Sequence, residues 1–350
     1  MADGAEARGE AMEVWASMDQ RMTLAEVPAH ARRAESLGYD GLNVPDAVHD
    51  GLMLAQAALA ATTRLRVATS VLVVFPRSPM NVAVASWDLQ AFSGGRFELG
   101  MGSQVRGNIV GRFSATWAPP VPRMREYVGA LRAIFDRWQN GTPLAFEGEH
   151  YVFTRMQPFF DPGPLETRPI PIHLGGIGPA MTALAGEVAD GLMCHPTNSS
   201  PRYLREVVLP RIASGAARVG RDPGEVALMA ADLVATGRDA DAVARARAGI
   251  RELLGFLFST PAYWPSLEIY DLADLGPRLR AMTRDGRWGE MSAAIPDALL
   301  DALVPSAPYD AVADVLRRRF EGLAQRITFP LPDDPADEDR VREVVAALRA

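Results

Sequence analysis

The stretch Ile170-Pro-Ile-His-Leu-Gly-Gly-Ile-Gly-Pro-Ala180 contains the transition that decides the fold. Its first residues, Ile170–Leu174, are a short apolar run that predicts a buried β-strand. A glycine-rich turn follows, and Pro179 then begins a helix, because proline is favoured at the first helical position. A strand that leads directly into a helix is half of a βα unit, and repeated βα units predict a parallel sheet.

The same alternation of short apolar strands and helices extends along most of the chain. Eight runs predict strands: Met12–Met18, Gly41–Val44, Leu65–Phe75, Arg96–Gly100, Ile170–Leu174, Gly191–His195, Val226–Thr236 and Arg326–Phe329. Eight βα units that close on themselves form a (β/α)8 barrel, the TIM-barrel fold. An open doubly wound α/β sheet is the alternative, and the absence of a G-x-G-x-x-G motif after the first strand weakens it.

Local signals mark the helix ends and the domain organisation. Thr23 and Glu26 predict a capping box, and Ser78 precedes Pro79 in the order expected where a helix begins. The helix predicted near Gly51–Thr62 is built of small and apolar residues, so we expect it to be buried. We predict one domain, residues 1–350, with a surface hairpin at about 144–154 and a helical insert at about 237–305 after the seventh strand.

The composition excludes several kinds of chemistry. The chain has 350 residues and a formal net charge of −7, and all 36 of its basic residues are arginine. A Schiff-base lysine and a P-loop lysine are therefore impossible. A bound anion must be held by arginine, by backbone N–H groups or by helix N-termini. The acidic balance also argues against nucleic acid as a partner.

The cysteine content and the apolar stretches bear on location. Cys194 is the single cysteine, which excludes a disulfide within the chain and makes a cysteine-built metal site nearly impossible. Met1–Ala11 is polar and acidic, unlike a secretory signal peptide. The apolar stretches are shorter than the ~20 residues that a membrane span needs. We therefore expect a cytoplasmic protein that does not act on membranes.

Active sites of such barrels lie at the carboxyl ends of the strands, and polar residues follow the second predicted strand there. Asp46, His49 and Asp50 are clustered after Val44. A histidine in this position can transfer protons near neutral pH, and a carboxylate can orient it. The alternative is that these polar residues cap the next helix.

Three further strand ends carry glycine or hydroxyl groups. Ser70 interrupts the apolar third strand, either facing a ligand or as a buried hydroxyl bonded to a carbonyl. The turn at Gly100–Gly107 and the turn at Gly175–Gly178 offer free backbone N–H groups, and the second precedes a helix N-terminus. Two such turns on one rim fit a phosphorylated cofactor, whereas two purely structural turns are the alternative.

The sixth strand and the insert supply candidates for the substrate pocket. His195 lies at a strand end, although a structural histidine is an equal interpretation. Tyr263 and Trp264 belong to an aromatic stretch that could cover the pocket or pack the insert against the barrel. The five histidines show no metal-binding spacing such as H-E-x-x-H, so we expect no metal site.

Together these motifs carry a resemblance to a known family. Matching stretches are Ser78–Met80, Ser93–Phe97, Leu99–Gln104, Pro122–Tyr127, His173–Met181, Ala185–Gly191, Ser259–Tyr263 and Gly286–Trp288. Their order and spacing resemble the luciferase-like monooxygenase superfamily, and within it the oxidoreductases that depend on the deazaflavin coenzyme F420. The resemblance covers nearly the whole chain from Met12 to Leu323.

The resemblance implies a (β/α)8 barrel with a helical insertion after the seventh strand and a deazaflavin across its mouth. It implies a bulge at Ser70-Val71 in the third strand, where relatives often have a non-prolyl cis peptide behind the cofactor ring. It implies cofactor contacts in two turns and at this bulge, namely at Ser70, Val71, Gly102, Ser103, Gln104, Arg106, Gly175, Gly176, Ile177 and Gly178.

The implied activity is hydride transfer between F420 and a small organic substrate, such as an alcohol or ketone, an imine, an activated alkene or a peptide natural product. His49 would transfer the proton, and Asp46 would position it or the ring. In relatives the segment before His49 usually carries glutamate and further polar residues, where this chain has Asp46, Ala47 and Val48. Trp264 stands where relatives often have arginine, so the substrate and the proton donor stay open. An FMN-dependent monooxygenase and a non-catalytic flavin- or deazaflavin-binding relative are the alternatives. A homodimer is compatible with the sequence.

Overall fold

The strands form one closed parallel sheet and one small hairpin. The structure is a computed structural model that describes residues 12–231 and 233–350, so the expectation for Met1–Ala11 lies outside the described residues. The strands are β1 (Glu13–Ser17), β2 (Gly41–Val44), β3 (Arg66–Thr69), β4 (Leu72–Val73), β5 (Phe97–Gly102), β6 (Phe146–Glu147), β7 (Val152–Phe153), β8 (Ile172–Gly175), β9 (Gly191–Met193), β10 (Ala227–Ala230) and β11 (Arg326–Thr328).

The sheet closes because β3 pairs on both sides. Its Arg66 lies opposite Gly41 of β2, and its Val67 lies opposite Phe97 of β5. The strand order is β3-β2-β1-β11-β10-β9-β8-β5-β4, with β4 continuing the place of β3 beside β5. The predicted (β/α)8 barrel is confirmed, and the open doubly wound sheet is wrong for this chain.

Helices surround the barrel. They are α1 (Val27–Ser36), α2 (Gly51–Ala61), α3 (Pro79–Ser93), α4 (Arg106–Gly111), α5 (Pro120–Asn140), α6 (Pro179–Val188), α7 (Pro201–Tyr203), α8 (Leu209–Arg218), α9 (Ala240–Phe258), α10 (Pro265–Glu268), α11 (Leu275–Arg284), α12 (Asp297–Leu303), α13 (Tyr309–Phe320) and α14 (Glu338–Arg349). A π-helical turn, Leu204–Val208, joins α7 to α8. No helix of the described residues combines the length and apolar character needed to cross a membrane.

Helix boundaries follow the local chemistry at α3 but not at α1. Ser78 caps α3, because its hydroxyl accepts from the backbone N–H of Met80 at 3.3 Å, and Gly94 ends the helix at φ 64°. The capping box predicted at Thr23 is wrong in part. The Glu26 carboxylate does accept from Thr23 N–H at 2.8 Å, but the Thr23 hydroxyl donates to the same carboxylate instead of capping a helical N–H.

The expectation that α2 is buried is wrong for its outer face. Leu54 and Leu59 are buried, yet Met53 is 54% exposed. The reason is geometric: a helix on the outside of a barrel covers the sheet with one side only. An apolar composition all round the helix therefore does not bury its outer side within one chain.

The helices between β10 and β11 have their own apolar core. Leu254 and Phe258 of α9 pack with Leu279 of α11 and Leu300 of α12, in a cluster distinct from that between sheet and barrel helices. The two-stranded hairpin β6–β7 pairs Phe146 with Phe153. The boundaries given above for one domain with two inserts stay a prediction.

The interior of the barrel holds a buried ionic network around Glu98 of β5. Glu98 is fully buried. Its carboxylate contacts the Arg326 guanidinium at 2.5 and 3.2 Å and the Nε2 atom of His173 at 2.9 Å. Burial alone would raise the pKa of Glu98, but the His173 hydrogen bond and the Arg326 charge hold it well below its usual range.

This network lies at the amino ends of the strands, opposite the end where barrel active sites form. Arg326 is the first residue of β11 and lies opposite Glu13, the first residue of β1. Its Nε atom contacts Glu13 at 2.5 Å, and its guanidinium lies 4.6 Å from the Trp15 ring. The network therefore closes this end of the barrel and contributes to stability.

Removing the central carboxylate tests this interpretation. We expect Glu98→Gln to lower the free energy of unfolding at pH 7 by up to about 3–5 kcal/mol, because it removes one of the two carboxylates that neutralise the buried Arg326. Urea unfolding measures this loss. The exposed Glu147→Gln is the control, and its effect should stay within about 0.5 kcal/mol.

The loss should also depend on pH with a defined sign. The folded-state pKa of Glu98 lies below its unfolded value of about 4.3. Its contribution is therefore complete above that value and is lost as the pH falls further. The difference between wild type and Glu98→Gln should shrink in acid; a difference that grows below about pH 4 would contradict this assignment.

Candidate functional site

A pocket opens at the carboxyl ends of the barrel strands. Its rim is formed by residues at or just after strand ends, namely Asn43, Ser70, Cys194 and Thr328. Its floor is formed by two residues of the ionic network, Trp15 and Arg326. Of the residues predicted from the sequence to bind cofactor or substrate, Ser70 lines this pocket, whereas the two glycine turns, His195 and Tyr263 are not among its lining residues. The pocket is largely apolar in its middle, with Met193 and Met229.

The rim is shaped by a bulge between β3 and β4. Ala68 lies opposite Glu98 and Leu72 opposite Met101, so four steps along one strand match three along the other. The Thr69 side chain bridges the gap, since its hydroxyl donates to Gly100 C=O at 2.8 Å and accepts from Gly100 N–H at 3.0 Å. The predicted single strand Leu65–Phe75 is therefore interrupted.

Both residues of the bulge lie at the mouth of the barrel, and Val71 packs against residues that line the pocket. The Ser70-Val71 peptide is cis, as the resemblance implies. Ser70 is exposed and faces the pocket rather than forming a buried bond to a carbonyl. A Cβ atom at Gly102 would lie 2.5 Å from Cγ2 of Val71, and one at Gly175 would lie 2.8 Å from its Cγ1. Val71 therefore fills the space that these two glycines leave.

The two glycine turns lie side by side. Met101 of β5 is opposite Leu174 of β8, so Gly102 and Gly175 are the next residues of adjacent parallel strands. This places both predicted cofactor turns on one rim, with Val71 between them.

The turn after β5 continues into α4. Gln104 has φ 57°, and its Oε1 atom accepts from Val105 N–H at 2.9 Å. Arg106 is exposed, Ser103 is half-buried, and nothing would lie within 4 Å of a Cβ at Gly107. These groups are accessible from solvent.

The turn after β8 presents the N-terminus of α6. No side chain caps this helix at Gly178, and nothing lies within 4 Å of a Cβ built there. Gly176 is buried against Leu192, and Ile177 is half-buried. The first N–H groups of a helix have no partner within it and carry partial positive charge. The end of α6 can therefore accept an anion.

Asp46 is held by several donors. Its carboxylate accepts from Gly51 N–H at 3.0 Å, from Val73 N–H at 2.9 Å and from the Arg77 guanidinium at 3.3 Å. Arg77 also contacts Asp50 at 2.9 Å. These contacts tie the loop after β2 to β4, directly behind the bulge. Asp46 thus fixes the position of the loop.

His49 lies on this loop and is half-buried. Its ring has no hydrogen-bond partner among residues 12–231 and 233–350. Arg112, from the segment after β5, donates to the carbonyl of Ala47. The loop that carries His49 is therefore held from two sides, by Arg77 and by Arg112, while the imidazole itself is unconstrained by bonds.

His195 lies directly after β9. It stacks on Tyr263 with ring centroids 4.5 Å apart and an interplanar angle of 11°. Burial lowers the pKa of His195 to about 4. The ring is therefore neutral at pH 7, and Tyr263 brings the insert into contact with the barrel at this strand end.

Trp264 packs within the helical insert. Its indole N–H donates to Phe258 C=O at 2.9 Å, and its ring lies against Gly276, where a Cβ would be 2.3 Å from it. Like His195 and Tyr263, it is not among the residues that line the pocket. Trp264 is therefore a packing residue, which the aromatic composition of the stretch could not distinguish from a pocket residue.

Cys194 lines the pocket, but its thiol is unreactive at pH 7. Burial raises the pKa of its thiol to about 12, so it stays protonated at pH 7.

Sequence reasoning missed the residues that fix the site. Thr69, Arg77 and Asn198 each connect two segments that are distant in sequence, and a single sequence carries no signal for such contacts. Glu98 did offer a signal, since it is a carboxylate within an apolar strand.

One group of possible metal ligands lies outside the pocket. Ligand atoms of Glu126, Glu149 and His150 are within 4.8 Å of one another. The Glu126 carboxylate already accepts from the backbone N–H groups of Glu149 at 3.1 Å and His150 at 2.7 Å. It therefore stabilises the hairpin turn.

A comparison with protein families identifies the chain. The sequence model of the luciferase-like monooxygenases matches residues 6–326. The chain belongs to the luciferase-like monooxygenase family. The resemblance inferred from the motifs is thereby confirmed.

Two relatives illustrate where this luciferase-like chain stands. An uncharacterized protein of Mycobacterium tuberculosis is 42% identical over 305 residues, covering 87% of this chain and 89% of the relative. A putative coenzyme F420-dependent oxidoreductase of the same species is 27% identical over 300 residues, covering 80% and 83%.

Solved structures share the fold at low identity. The F420-dependent tetrahydromethanopterin reductase of Methanopyrus kandleri has a TM-score of 0.77 at 18% identity, with 97% of this chain and 98% of that chain covered. An F420-dependent secondary alcohol dehydrogenase has a TM-score of 0.73 at 21%, covering 97% and 100%. A Baeyer–Villiger monooxygenase component of Pseudomonas putida in complex with FMN has 0.67 at 16%, covering 97% and 97%.

The contact between Val71 and the glycine turns can be tested by adding one methyl group. We expect Gly102→Ala to lower the free energy of unfolding by about 1–3 kcal/mol, because overpacking displaces Val71. Chemical denaturation measures this change. Gly107→Ala is the matched control, since its methyl group would enter open space. Equal stability of the two variants would show that Val71 is not confined.

Proposed function

We propose that this protein is an oxidoreductase that uses coenzyme F420 to transfer a hydride to or from a small organic substrate, such as an alcohol or ketone, an imine or an activated alkene. The observation that carries the proposal is the common rim of the two glycine turns. Gly102 and Gly175 end adjacent strands on either side of Val71, and the uncapped N-terminus of α6 follows the second turn.

The residues present fit a flat cofactor with a phosphate-bearing tail. Asn43 and Ser70 line the pocket, and neither side chain has a hydrogen-bond partner in the described part of the chain. They are available for the polar edge of a ring. The α6 N-terminus suits a phosphate, because its N–H groups and dipole favour negative charge. In a chain without lysine, this backbone site replaces a lysine clamp.

The choice of F420 over FMN rests on similarity. Relatives and fold neighbours named as F420-dependent support the deazaflavin. A deazaflavin supplies two-electron hydride chemistry, whereas FMN also supports reactions with oxygen. An FMN-dependent monooxygenase is the alternative, which an FMN-bound fold neighbour favours. A non-catalytic cofactor-binding relative is the second alternative.

In the proposed reaction the side chains have different roles, and each role follows from the contacts of that side chain. His49 transfers the proton that accompanies hydride transfer, because its imidazole is free of hydrogen bonds and lies on the rim loop. Asp46 and Arg77 hold this loop against β4. Cytoplasmic location and a homodimer stay predictions.

The cofactor can be identified by spectroscopic titration of the purified full chain. We expect F420 to bind and its absorbance near ~420 nm to change on binding. FMN should bind more weakly. Tight FMN binding with oxygen consumption would overturn the proposal in favour of the monooxygenase.

The anion site at the N-terminus of α6 can be tested with two variants of Gly178 that differ in charge. Gly178→Asp places a carboxylate at the N-terminus of α6, and we expect it to weaken F420 binding about 5- to 30-fold by repulsion of the phosphate. Gly178→Asn has nearly the same shape without charge; its side chain can still accept from the same N–H groups, so it should weaken binding less than Gly178→Asp does. Both residues are good helix caps, so neither variant should unfold more readily. Equal binding by the two variants would place the phosphate elsewhere.

The role of His49 can be separated from cofactor binding. We expect His49→Gln to lower kcat about 10²- to 10⁴-fold, the usual contribution of a proton-transferring group. Its affinity for F420 should stay unchanged in the absorbance titration. His30→Gln is the control, since His30 Nε2 is bonded to Ser17 C=O at 3.3 Å. An unchanged kcat in His49→Gln would remove His49 from the reaction.

A further inference from the structure

Nearly every polar atom of His195 has a partner in its own turn. Its backbone N–H donates to Asn198 Oδ1 at 2.7 Å, and its C=O accepts from the Ser199 hydroxyl at 3.0 Å. Its Nδ1 accepts from Thr197 N–H at 3.3 Å and contacts the Thr197 hydroxyl at 2.9 Å. Nε2 is the polar atom of this residue for which the described chain offers no partner.

These contacts decide which ring nitrogen carries the proton. Because Nδ1 accepts from a backbone N–H, the proton of the neutral ring must be on Nε2. Burial keeps the ring neutral. Nε2–H is therefore a hydrogen-bond donor whose direction is fixed by the turn and by the stacked Tyr263 ring.

The same turn fixes His195 relative to the rim. Asn198 is fully buried, and its Nδ2 donates to Gly176 C=O at 3.2 Å. Gly176 belongs to the turn proposed above to contact the cofactor. A rigid connection of two bonds therefore joins His195 to that turn, and Cys194, the neighbour of His195, lines the pocket.

Tyr263 adds a second free polar atom. Its ring is parallel to His195, and its hydroxyl has no hydrogen-bond partner within residues 12–231 and 233–350. The groups that face His195 are Tyr263 from the insert, and Thr197 and Asn198 from its own turn; none of them is charged at pH 7. In the pocket itself, the Arg326 charge is already paired with Glu98 and Glu13.

We propose that Nε2–H of His195 and the hydroxyl of Tyr263 bind the uncharged oxygen of the substrate, which is a ketone carbonyl or an alcohol hydroxyl. A phosphorylated or carboxylate substrate would need a cation at this place. The inference deepens the proposed function and rests on it. His195 acts as a fixed donor that orients and polarises the oxygen, while proton transfer is left to His49.

The donor can be observed by NMR on the full chain with isotope-labelled histidine nitrogens. One of five imidazole signals should be missing in His195→Phe, which assigns it. We expect this signal to show the Nε2–H form and no titration between about pH 5 and 8. An Nδ1–H form, or a titration within that range, overturns the proposal.

The substrate class can be tested with two probes of one shape. Cyclohexanone added to the F420-loaded protein should shift the His195 Nε2 signal, whereas cyclohexanecarboxylate at the same concentration should not. A larger shift with the carboxylate, or none with either probe, overturns the assignment of an uncharged oxygen.

Two variants distinguish hydrogen-bond donation by His195 from its stacking on Tyr263. We expect His195→Phe, which keeps a flat ring, to bind cyclohexanone about tenfold more weakly. His195→Gln, which keeps an N–H donor near the Nε2 position, should retain most of the affinity. Equal losses in both variants would mean a structural role and would overturn the proposal. Wild-type protein that fails to bind F420 would instead overturn the proposed function, while the NMR measurement without cofactor still decides the donor.

Discussion

Where the backbone pairing of β3 with β5 ends, the Thr69 side chain forms hydrogen bonds to the backbone of β5 in its place. Its hydroxyl both donates to and accepts from the backbone of Gly100, so the extra residue of the bulge breaks neither the closure of the sheet nor the pairing of β4 with β5. Ser70 can then face the pocket, while Val71 lies against Gly102 and Gly175. The rim geometry therefore depends on this one side chain.

Charge is distributed unequally between the two ends of the barrel. At the amino ends, Glu13 and Glu98 neutralise Arg326 inside the barrel, and the penalty for burying these charges is offset by short contacts within the network. At the carboxyl ends, the groups lining the pocket are mostly neutral, such as Asn43, Ser70 and the Cys194 thiol. A low density of charge there favours a flat cofactor ring and an uncharged substrate, provided that the phosphate is held by backbone N–H groups.

Rigidity of the rim comes from contacts between loops. Asp46 and Arg77 connect the loop after β2 to β4, Arg112 connects the segment after β5 to Ala47, and Asn198 connects the turn after β9 to Gly176. Each connection joins segments from different βα units. Residues that react with a substrate can then be held in fixed relation by a scaffold whose loops are individually short.

The sequence by itself determined the barrel, most strand positions and the family, because apolar periodicity, helix caps such as Ser78-Pro79 and ordered glycine motifs are local signals. The tertiary structure alone decided which groups are available for chemistry. It showed that the Asp46 carboxylate is already hydrogen-bonded to Gly51, Val73 and Arg77, that Trp264 packs within the insert, and that Gly102 makes room for Val71. The physical reason is that hydrogen bonding, burial and free space depend on neighbours distant in the chain, and no local pattern records those neighbours.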